Sequence, residues 1–412
     1  MSKKYFTRKR KLTFFIVILL ILGKSVKSLQ LVLNEVFVKL AINITVCSAS
    51  AFVQARVKLS HKAFIELNQK AVVDNFYMNG DYKTYRGFRL LAVDGSKVIL
   101  PNEENIKDYF GSINIANQLE TTTGEYPVAL ASVLYDVLNN ICLDSILGKA
   151  KAYEVDLAIR HLYNYSKLND LLTFDRNYPS YMFIATLLQN GINFCGRCSR
   201  SSFKEARMMF TSSQKSKVVT LRPRHSKIKE IEALGLPLEI KVRFVRVVLD
   251  TGEVEILITS LLDNNLYPAK DFKELYYLRW GIETFYGTIK GRLNLENFSG
   301  KSVEAVKQDF YATVFISGLE SILILDAQGN LDSKTSNKYP QAVNKAVSFN
   351  AIKNNLIELF YKEDNVATIL EKLTLLFMTK PECRRKGRIV PRTKAKVKVL
   401  LNYHKRKKKI CF

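Results

Sequence analysis

The sequence predicts an α/β fold with helical regions at both ends of the chain. Strand-like and helix-like segments alternate from about residue 88 to residue 200, the pattern of a sheet covered by helices. Helical periodicity dominates before this region and returns from Lys270. The chain has 412 residues, of which 47% are apolar, and this is enough for roughly two to four structural units with a sizeable core.

Residues 1–80 are predicted to be helical. The stretch "SASAFVQARVKLSHKAFIELNQKAV" offers capping serines and an amphipathic run that carries Arg56, Lys58 and Lys62. Two interpretations stay open: the recognition part of a helix-turn-helix, or an ordinary surface helix.

The N-terminus also has the outline of a secretory signal, because a basic start leads into the apolar run from Phe14 to Leu22. That run is far shorter than the ~20 residues needed to span a bilayer, and no small-residue cleavage site follows it. A buried helix is therefore favoured over a signal or an anchor.

The middle of the chain supplies the predicted sheet. "FRLLAVDGSKVILP" predicts two strands about an Asp-Gly turn, and Leu171–Phe174 predicts a further strand. Between them, "VALASVLYDVLNNICLDSIL" and "AKAYEVDLAIRHLYNY" are each predicted to be helical. Further along, "IKVRFVRVVL" and "VEILITSLL" flank the turn "DTGE" and predict a β-hairpin within a β-rich insertion at 201–263.

A helix is predicted over residues 276–290, and it carries the most informative pattern in the chain. On a helix, Tyr276, Arg279, Glu283 and Lys290 fall within an arc of about 60°. The opposite side is apolar, so one face packs and the other displays an acid, two cations and a phenol. A surface helix with an Arg279–Glu283 pair, worth only about 0.3–0.5 kcal/mol, is the simpler interpretation. A phosphodiester enzyme, however, needs such a row to hold a metal and a phosphate.

Two further carboxylates are candidates for the same site. Asp94 follows the apolar run Leu90–Val93, and Asp175 follows Leu171–Phe174, so each acid is predicted to end a buried strand. The alternatives are turn chemistry for Asp94, which precedes a glycine, and a loop start for Asp175.

Charge and cysteine usage limit the class of protein. The formal net charge is +25, and the segment from Lys380 to Phe412 has 14 Lys or Arg against one acid. This balance indicates a polyanionic partner, with nucleic acid the leading candidate, although a solubilising tail has the same composition. The six cysteines show no disulfide framework and fit a reducing compartment. Cys195 and Cys198 form a lone CxxC, which is a poor zinc site.

The spacing of Tyr276, Arg279, Glu283 and Lys290 resembles the signature of the insertion-sequence-four family of DDE transposases. The surrounding "LYYLRWGIETFYGTIKGRLNLENFSG" is similar to that family as well, and "LLAVDGSKVILP" and "LLTFDRNYPS" resemble the blocks of its first and second catalytic aspartates. The resemblance covers nearly the whole chain to about residue 377. In some relatives a Trp in the insertion stacks on a flipped base, but the only Trp here is Trp280, inside the helix motif.

The resemblance implies a ribonuclease H-like core in two parts, 85–200 and 264–325. The β-rich insertion at 201–263 would separate these parts, with a helical DNA-binding domain at 1–80 and a helical C-terminal region with a basic tail at 326–412. The resemblance also implies a bacterial, cytoplasmic, nucleoid-associated protein with no membrane partner. Its implied partner is double-stranded DNA, both the terminal inverted repeats of the element and the target, to which the protein would bind as a homodimer.

The implied reaction is cleavage at the ends of an insertion sequence and strand transfer into target DNA. Asp94, Asp175 and Glu283 would bind two Mg²⁺ ions, with Mn²⁺ as a substitute, while Tyr276, Arg279 and Lys290 would contact DNA. The alternatives are a catalytically inactive relative that binds element ends as a repressor, and a membrane-tethered or secreted basic protein.

Overall fold

The computed structural model describes residues 5–8, 10–25, 27–40, 46–116, 123–334, 338–361 and 366–384. Within these ranges, nine strands form one mixed sheet: β1 (Arg89–Ile99), β2 (Ser112–Ala116), β3 (Thr123–Asp136), β4 (Ile141–Lys149), β5 (Asp170–Phe174), β6 (Asn193–Cys198), β7 (Ser216–Leu221), β8 (Ile240–Val248) and β9 (Val254–Thr259). Two short strands, β10 (Gln341–Ala342) and β11 (Glu382–Cys383), pair separately.

Helices precede, interrupt and follow the sheet. Five lie before it: α1 (Phe14–Leu22), α2 (Leu29–Lys39), α3 (Ala49–Arg56), α4 (Lys62–Leu67) and α5 (Asn75–Tyr77), the last two joined by the π-helical segment Asn68–Asp74. Seven lie between or just after the strands: α6 (Glu104–Phe110), α7 (Glu154–His161), α8 (Tyr181–Gln189), α9 (Lys204–Thr211), α10 (Ile228–Ala233), α11 (Phe272–Leu278) and α12 (Gly281–Gly291). Five lie in the C-terminal part: α13 (Val303–Leu323), α14 (Leu325–Asp332), α15 (Lys345–Asn354), α16 (Leu356–Phe360) and α17 (Val366–Phe377).

The sheet is centred on β1, which pairs antiparallel with β3 and parallel with β5. From β5 the order continues through β6, β9 and β8 to β7, while β4 pairs with the other side of β3. Alternate residues of β1 and β5 belong to different hydrophobic clusters: Leu91 and Leu172 to the large one, Leu90 and Leu171 to a smaller one beside α11. Both faces of these strands are thus buried, as expected for near-continuous apolar runs.

The helix predicted for "VALASVLYDVLNNICLDSIL" is wrong, because this segment forms the hairpin of β3 and β4. A continuous apolar run satisfies helical and buried-strand periodicity equally well. The turn spans residues 137–140 and ends with Asn139 and Asn140. Asn140 adopts the left-handed conformation with φ of 59°, which asparagine tolerates better than most residues. The Asn-Asn pair was the available signal for the turn.

The Asp-Gly turn predicted at residue 94 is also wrong. The strand β1 runs without a break from Arg89 to Ile99, and Asp94 and Gly95 lie within it, opposite Val133 and Ser132 of β3. Glycine here does not make a turn; its lack of a side chain makes room for a residue of α7.

Several elements are confirmed. The strand at 171–174 is β5, the helix after "AKAY" is α7, and β8 and β9 form the predicted hairpin about "DTGE". This hairpin pairs with β6 and so continues the central sheet. Cys195 and Cys198 are buried strand residues of β6.

The N-terminal helices pack against α13. Helix α1 is almost entirely buried, as predicted, and contacts both α13 and α16. Arg56 of α3 is 5% exposed and forms an ion pair with Asp309 at 2.7 Å. Its side chain therefore joins two helices and does not belong to an exposed basic face. Within the described ranges, no single helix is long and apolar enough to cross a membrane; α13 and α14, bent by 44°, meet the length and composition only as a pair.

Candidate active site

The first two predicted acids lie side by side on neighbouring strands. In the parallel register of β1 and β5, Val93 pairs with Phe174, so the next residues, Asp94 and Asp175, lie at the same level. Adjacent strands are about 4.8 Å apart. Asp94 lies within β1 and Asp175 directly follows the end of β5, so the rigid centre of the sheet fixes the backbone of both aspartates.

Asp94 is in a poorly solvated position. Its Oδ1 accepts a hydrogen bond from the Gly95 amide at 2.9 Å, and its Oδ2 lies 3.9 Å from Nη1 of Arg279. Burial raises the pKa of the Asp94 carboxyl to about 6, against the opposing effects of the Gly95 amide and the Arg279 charge. A carboxylate in such a position gains more from a bound cation than an exposed one does.

Asp175 is held by a different arginine. Its Oδ1 accepts hydrogen bonds from the Arg176 amide at 2.6 Å and from Nη2 of Arg197 at 2.7 Å. Burial opposes ionisation, but the Arg176 amide and the charge of Arg197 outweigh it and lower the pKa of Asp175. Arg197 also binds Glu255. No pattern in the sequence pointed to Arg197.

Glu283 comes to the site on α12. Its Oε1 accepts a hydrogen bond from Nη2 of Arg279 at 2.8 Å, so one guanidinium contacts both Glu283 and Asp94. Arg279 is 2% exposed. The Arg279 guanidinium thus joins Asp94 and Glu283, and Asp175 lies within electrostatic range of the same guanidinium.

The single helix predicted over residues 276–290 is wrong in one respect. It is two helices, α11 and α12, with Arg279 and Trp280 between them. The next residue, Gly281, packs tightly against Val137, since a Cβ at Gly281 would lie 3.0 Å from the Val137 Cβ. This close approach brings the start of α12 against the β3–β4 turn.

The four motif residues do not form an exposed row. Tyr276 is 5% exposed, and its hydroxyl donates to the Phe174 carbonyl at 3.3 Å. Lys290 is half-buried, and its Nζ donates to Ser96 Oγ at 2.8 Å and to the Lys97 carbonyl at 2.5 Å. Burial lowers the pKa of Lys290. The motif therefore ties α11 and α12 to β5 and β1, on which the two aspartates depend.

Two residues near the aspartates were missed from the sequence, Glu154 and Tyr178. A Cβ built on Gly95 would lie 2.9 Å from Oε1 of Glu154, the first residue of α7. The Tyr178 hydroxyl is buried and has no hydrogen-bond partner within the described part of the chain. It lies within electrostatic range of Asp94, Glu154, Asp175 and Arg279. The glycine after Asp94 was the signal for Glu154, although it is equally typical of a turn.

The donor set suits a hard divalent cation, because carboxylate oxygens are the ligands that such ions prefer. Among the residues that the structure describes, no three His, Cys, Asp or Glu side chains are arranged to ligate a metal. The acids instead pair with Arg279 and Arg197. Nε and Nη1 of Arg279 are buried without a hydrogen-bond partner. A cation therefore fits the chemistry of these side chains, provided that Arg279 gives up its acidic partners.

The chain belongs to the DDE transposase domain family. Residues 87–319, more than half of the chain, match the family described as "Transposase DDE domain", and this match spans β1, β5 and α12. All three predicted acids lie inside the matched region.

The chain is similar to a known bacterial protein and to a solved structure, among others. The Escherichia coli (strain K12) protein named "Putative transposase InsZ" is 26% identical over 117 residues, which is 28% of this chain and 37% of that protein. Among solved structures, a piggyBac transposase synaptic complex with hairpin DNA is similar with a TM-score of 0.41 and 11% identity. That alignment covers 91% of this chain and 76% of the other. A TM-score below 0.5 does not establish a shared fold.

Proposed function

We propose that this chain is a DNA transposase of the insertion-sequence-four family that cleaves the ends of its element and transfers them into target DNA. The observation that carries the proposal is the parallel register of β1 and β5, which sets Asp94 and Asp175 at one level, together with the guanidinium of Arg279 that links Asp94 to Glu283. Membership in the DDE transposase domain family supports the same reaction.

In this proposal the core is ribonuclease H-like, and Asp94, Asp175 and Glu283 hold two Mg²⁺ ions, for which Mn²⁺ can substitute. When bound, such cations supply Lewis-acid stabilisation of the charge that develops on phosphate oxygens. The strands β1 and β5 fix two of the acids, and α12 brings the third, so the positions of the ligands are set by rigid elements.

The basic residues act on the DNA backbone. Arg279 has two buried nitrogens without hydrogen-bond partners, and phosphate oxygens would satisfy them. Lys290 and Tyr276 are held by β1 and by the end of β5, so they act by fixing the helices as well as by contacting phosphate. Double-stranded DNA is the partner, bound by a homodimer, and the net charge of +25 favours this polyanion.

Cleavage of the protein's own flanking DNA tests the proposal. The full chain is incubated with a duplex that carries the element end and Mg²⁺, and the cut strands are mapped on a denaturing gel. We expect cuts at the element end. We also expect Asp94→Asn, Asp175→Asn and Glu283→Gln each to abolish cutting while DNA binding persists, because metal ligation fails when one carboxylate is lost. Specific binding without cutting by the unaltered chain would instead indicate a repressor.

A further inference from the structure

Glu154 lies directly beside Gly95, the residue that follows Asp94, and within electrostatic range of Asp94 and Asp175. It is the first residue of α7, which packs against β1, β3 and β4. Its Oε1 lies 2.9 Å from the point that a Cβ of Gly95 would occupy, and its Cδ and Cγ lie 3.0 and 3.1 Å from that point. Any larger residue at position 95 would displace this carboxylate. The glycine after Asp94 thus makes space for a fourth acid.

The charge of Glu154 is not neutralised by a direct contact. It forms no hydrogen bond or ion pair with any side chain in the described ranges, whereas Arg279 serves Asp94 and Glu283, and Arg197 serves Asp175 and Glu255. Burial and the charge of Asp175 raise the pKa of Glu154, and the more distant Lys97 opposes them. A half-buried carboxylate beside two others is unfavourable unless a cation joins them.

A second, independent feature indicates that something binds here. Tyr178 is 1% exposed, and its hydroxyl has no hydrogen-bond partner among the residues described. The hydroxyl lies within electrostatic range of Asp94, Glu154 and Asp175. An unpaired buried hydroxyl is energetically unfavourable, because it has lost its hydrogen bonds to water without replacing them. A hydrated cation among the three acids would give it a partner in the form of an ordered water.

We propose that Glu154 is a fourth carboxylate of the cation site, which shares a hydrated divalent metal ion with Asp94 and Asp175 once Arg279 and Arg197 release these two acids, and that the Tyr178 hydroxyl orders the water around that ion. This inference rests on the proposed function, since it assumes that Asp94 and Asp175 bind the cation. Glu154 acts either as a direct ligand or through one water molecule, and in both cases it contributes to the affinity for the metal.

The test uses Mn²⁺ alone, with binding to the full-length protein followed by the electron paramagnetic resonance signal of the free ion. Glu154→Gln keeps the shape and removes the charge. Asp156→Asn is the matched control, because Asp156 is an exposed acid in the same first turn of α7. We expect Glu154→Gln to weaken Mn²⁺ binding by about 10-fold or more, in the range seen when groups around a metal are removed. We expect Asp156→Asn to bind like the unaltered chain.

Equal Mn²⁺ affinity for Glu154→Gln and Asp156→Asn would overturn the inference. Asp94→Asn and Asp175→Asn are measured alongside to separate two kinds of failure. If these two variants lose Mn²⁺ binding and Glu154→Gln does not, only the role of Glu154 is refuted. If none of the three affects binding, the proposed metal site itself is refuted. Circular dichroism without metal verifies that each variant is folded. If Glu154→Gln is not, Glu154→Asp is measured in its place, because it keeps the charge but withdraws the carboxylate from the site by one methylene and should also weaken Mn²⁺ binding.

Discussion

At the scale of single residues, Arg279 is the side chain that most affects the chemistry of the site. Its guanidinium contacts both Glu283 and Asp94 while being 2% exposed. The sequence indicated an exposed phosphate-binding cation, but the buried position makes Arg279 a competitor for the same carboxylates that a divalent cation would use. In the proposed mechanism, metal binding and the Arg279 ion pairs oppose each other until DNA phosphate offers the arginine another partner.

Replacing Arg279 should separate these two effects. We expect Arg279→Gln to raise the affinity for Mn²⁺ several-fold, because the acids lose their competing cation. Cleavage should fall by about 10²-fold, the usual loss when one donor to a developing charge is removed. Titration with Mn²⁺ and single-turnover cleavage measure the two quantities. Arg292→Gln, an exposed arginine just after α12, is the control. A lower Mn²⁺ affinity in Arg279→Gln would contradict this account.

At the scale of secondary-structure elements, the position of Asp175 depends on the packing of β5 against β6. Phe174 pairs with Gly196 across the two strands, and the Phe174 ring lies over that glycine. A Cβ at Gly196 would be 1.8 Å from the ring, which is fully buried and packed against Phe183 and Phe194. The ring has little freedom to move, and Asp175 is the next residue.

We therefore expect Gly196→Ala to lower the free energy of unfolding by about 1–3 kcal/mol, as overpacking of a core does. It should also reduce metal-dependent cleavage, since the shift of Phe174 moves Asp175. Urea unfolding and the cleavage assay measure the two effects. Gly291→Ala is the matched control, because a Cβ there meets nothing within 4 Å. Equal stability for the two variants would show that the β5–β6 contact is looser than described.

The sequence correctly predicted the elements whose residue pattern fits only a strand or only a helix. The run before Asp175 and the pair of runs about "DTGE" are short, β-rich and bounded by turn residues, and they are β5, β8 and β9. The run at 128–147 is long and mostly apolar, so its periodicity did not separate a helix from the hairpin that forms. Burial against both faces of a sheet is a tertiary property, and local propensity does not reveal it.

The sequence named the candidate residues of the site more fully than it predicted their arrangement. Asp94, Asp175 and Glu283 remain predictions as metal ligands, but the structure brings Asp94 and Asp175 to the same level of adjacent strands and joins Asp94 and Glu283 through Arg279. The sequence did not reveal Glu154. Its proximity to Gly95 arises from the packing of α7 on β1, and the local signal, the glycine itself, is equally typical of a turn.

At the scale of the whole molecule, a buried ionic cluster fastens the N-terminal helices to α13. Arg56 binds Asp309, Gln308 and the Ala305 carbonyl, and Asp309 also accepts hydrogen bonds from Ser299. Burial disfavours the charged form of Asp309, but the charges of Arg56 and Lys24 and the Ser299 hydrogen bonds outweigh it and lower the pKa of Asp309. Removing one member of such a cluster leaves an uncompensated buried charge.

This lowered pKa gives a pH dependence with a definite sign. The Asp309 contribution to stability is fully present above about pH 4, the ordinary pKa of an unfolded aspartate, and is lost as the pH falls through its lower folded-state pKa. We expect the free energy of unfolding of the unaltered chain to fall below pH 4 and that of Asp309→Asn to fall less. Arg56→Ala should lower the free energy of unfolding by about 3–5 kcal/mol at pH 7, because it leaves the Asp309 charge buried without its partner. Asp326→Asn removes an exposed acid of α14 and should match the unaltered chain in denaturant titrations. An equal pH dependence of the unaltered chain, Asp309→Asn and Asp326→Asn would refute the assignment.

The predicted basic tail lies almost wholly outside the described residues, which end at Arg384. Residues 385–412 contain 12 Lys or Arg and no acid. We expect a chain ending at Arg384 to bind DNA more weakly and with less dependence on salt. The slope of log K against log salt should decrease by about 0.9 for each phosphate that the shortened chain no longer neutralises. Binding isotherms at several salt concentrations measure the slope, and an unchanged slope would leave the tail with a solubilising role.

The central claim is that Asp94, Asp175 and Glu283, which are far apart in the chain, meet at one cation. Iron-directed cleavage of the polypeptide tests this most directly, because Fe²⁺ that replaces Mg²⁺ generates hydroxyl radicals that cut the backbone close to the metal. With the full-length protein, Fe²⁺, ascorbate and peroxide, we predict cuts near Asp94, Asp175 and Glu283 that excess Mg²⁺ suppresses. Cuts confined to other segments, or cuts at these positions that Mg²⁺ leaves unchanged, would contradict the account.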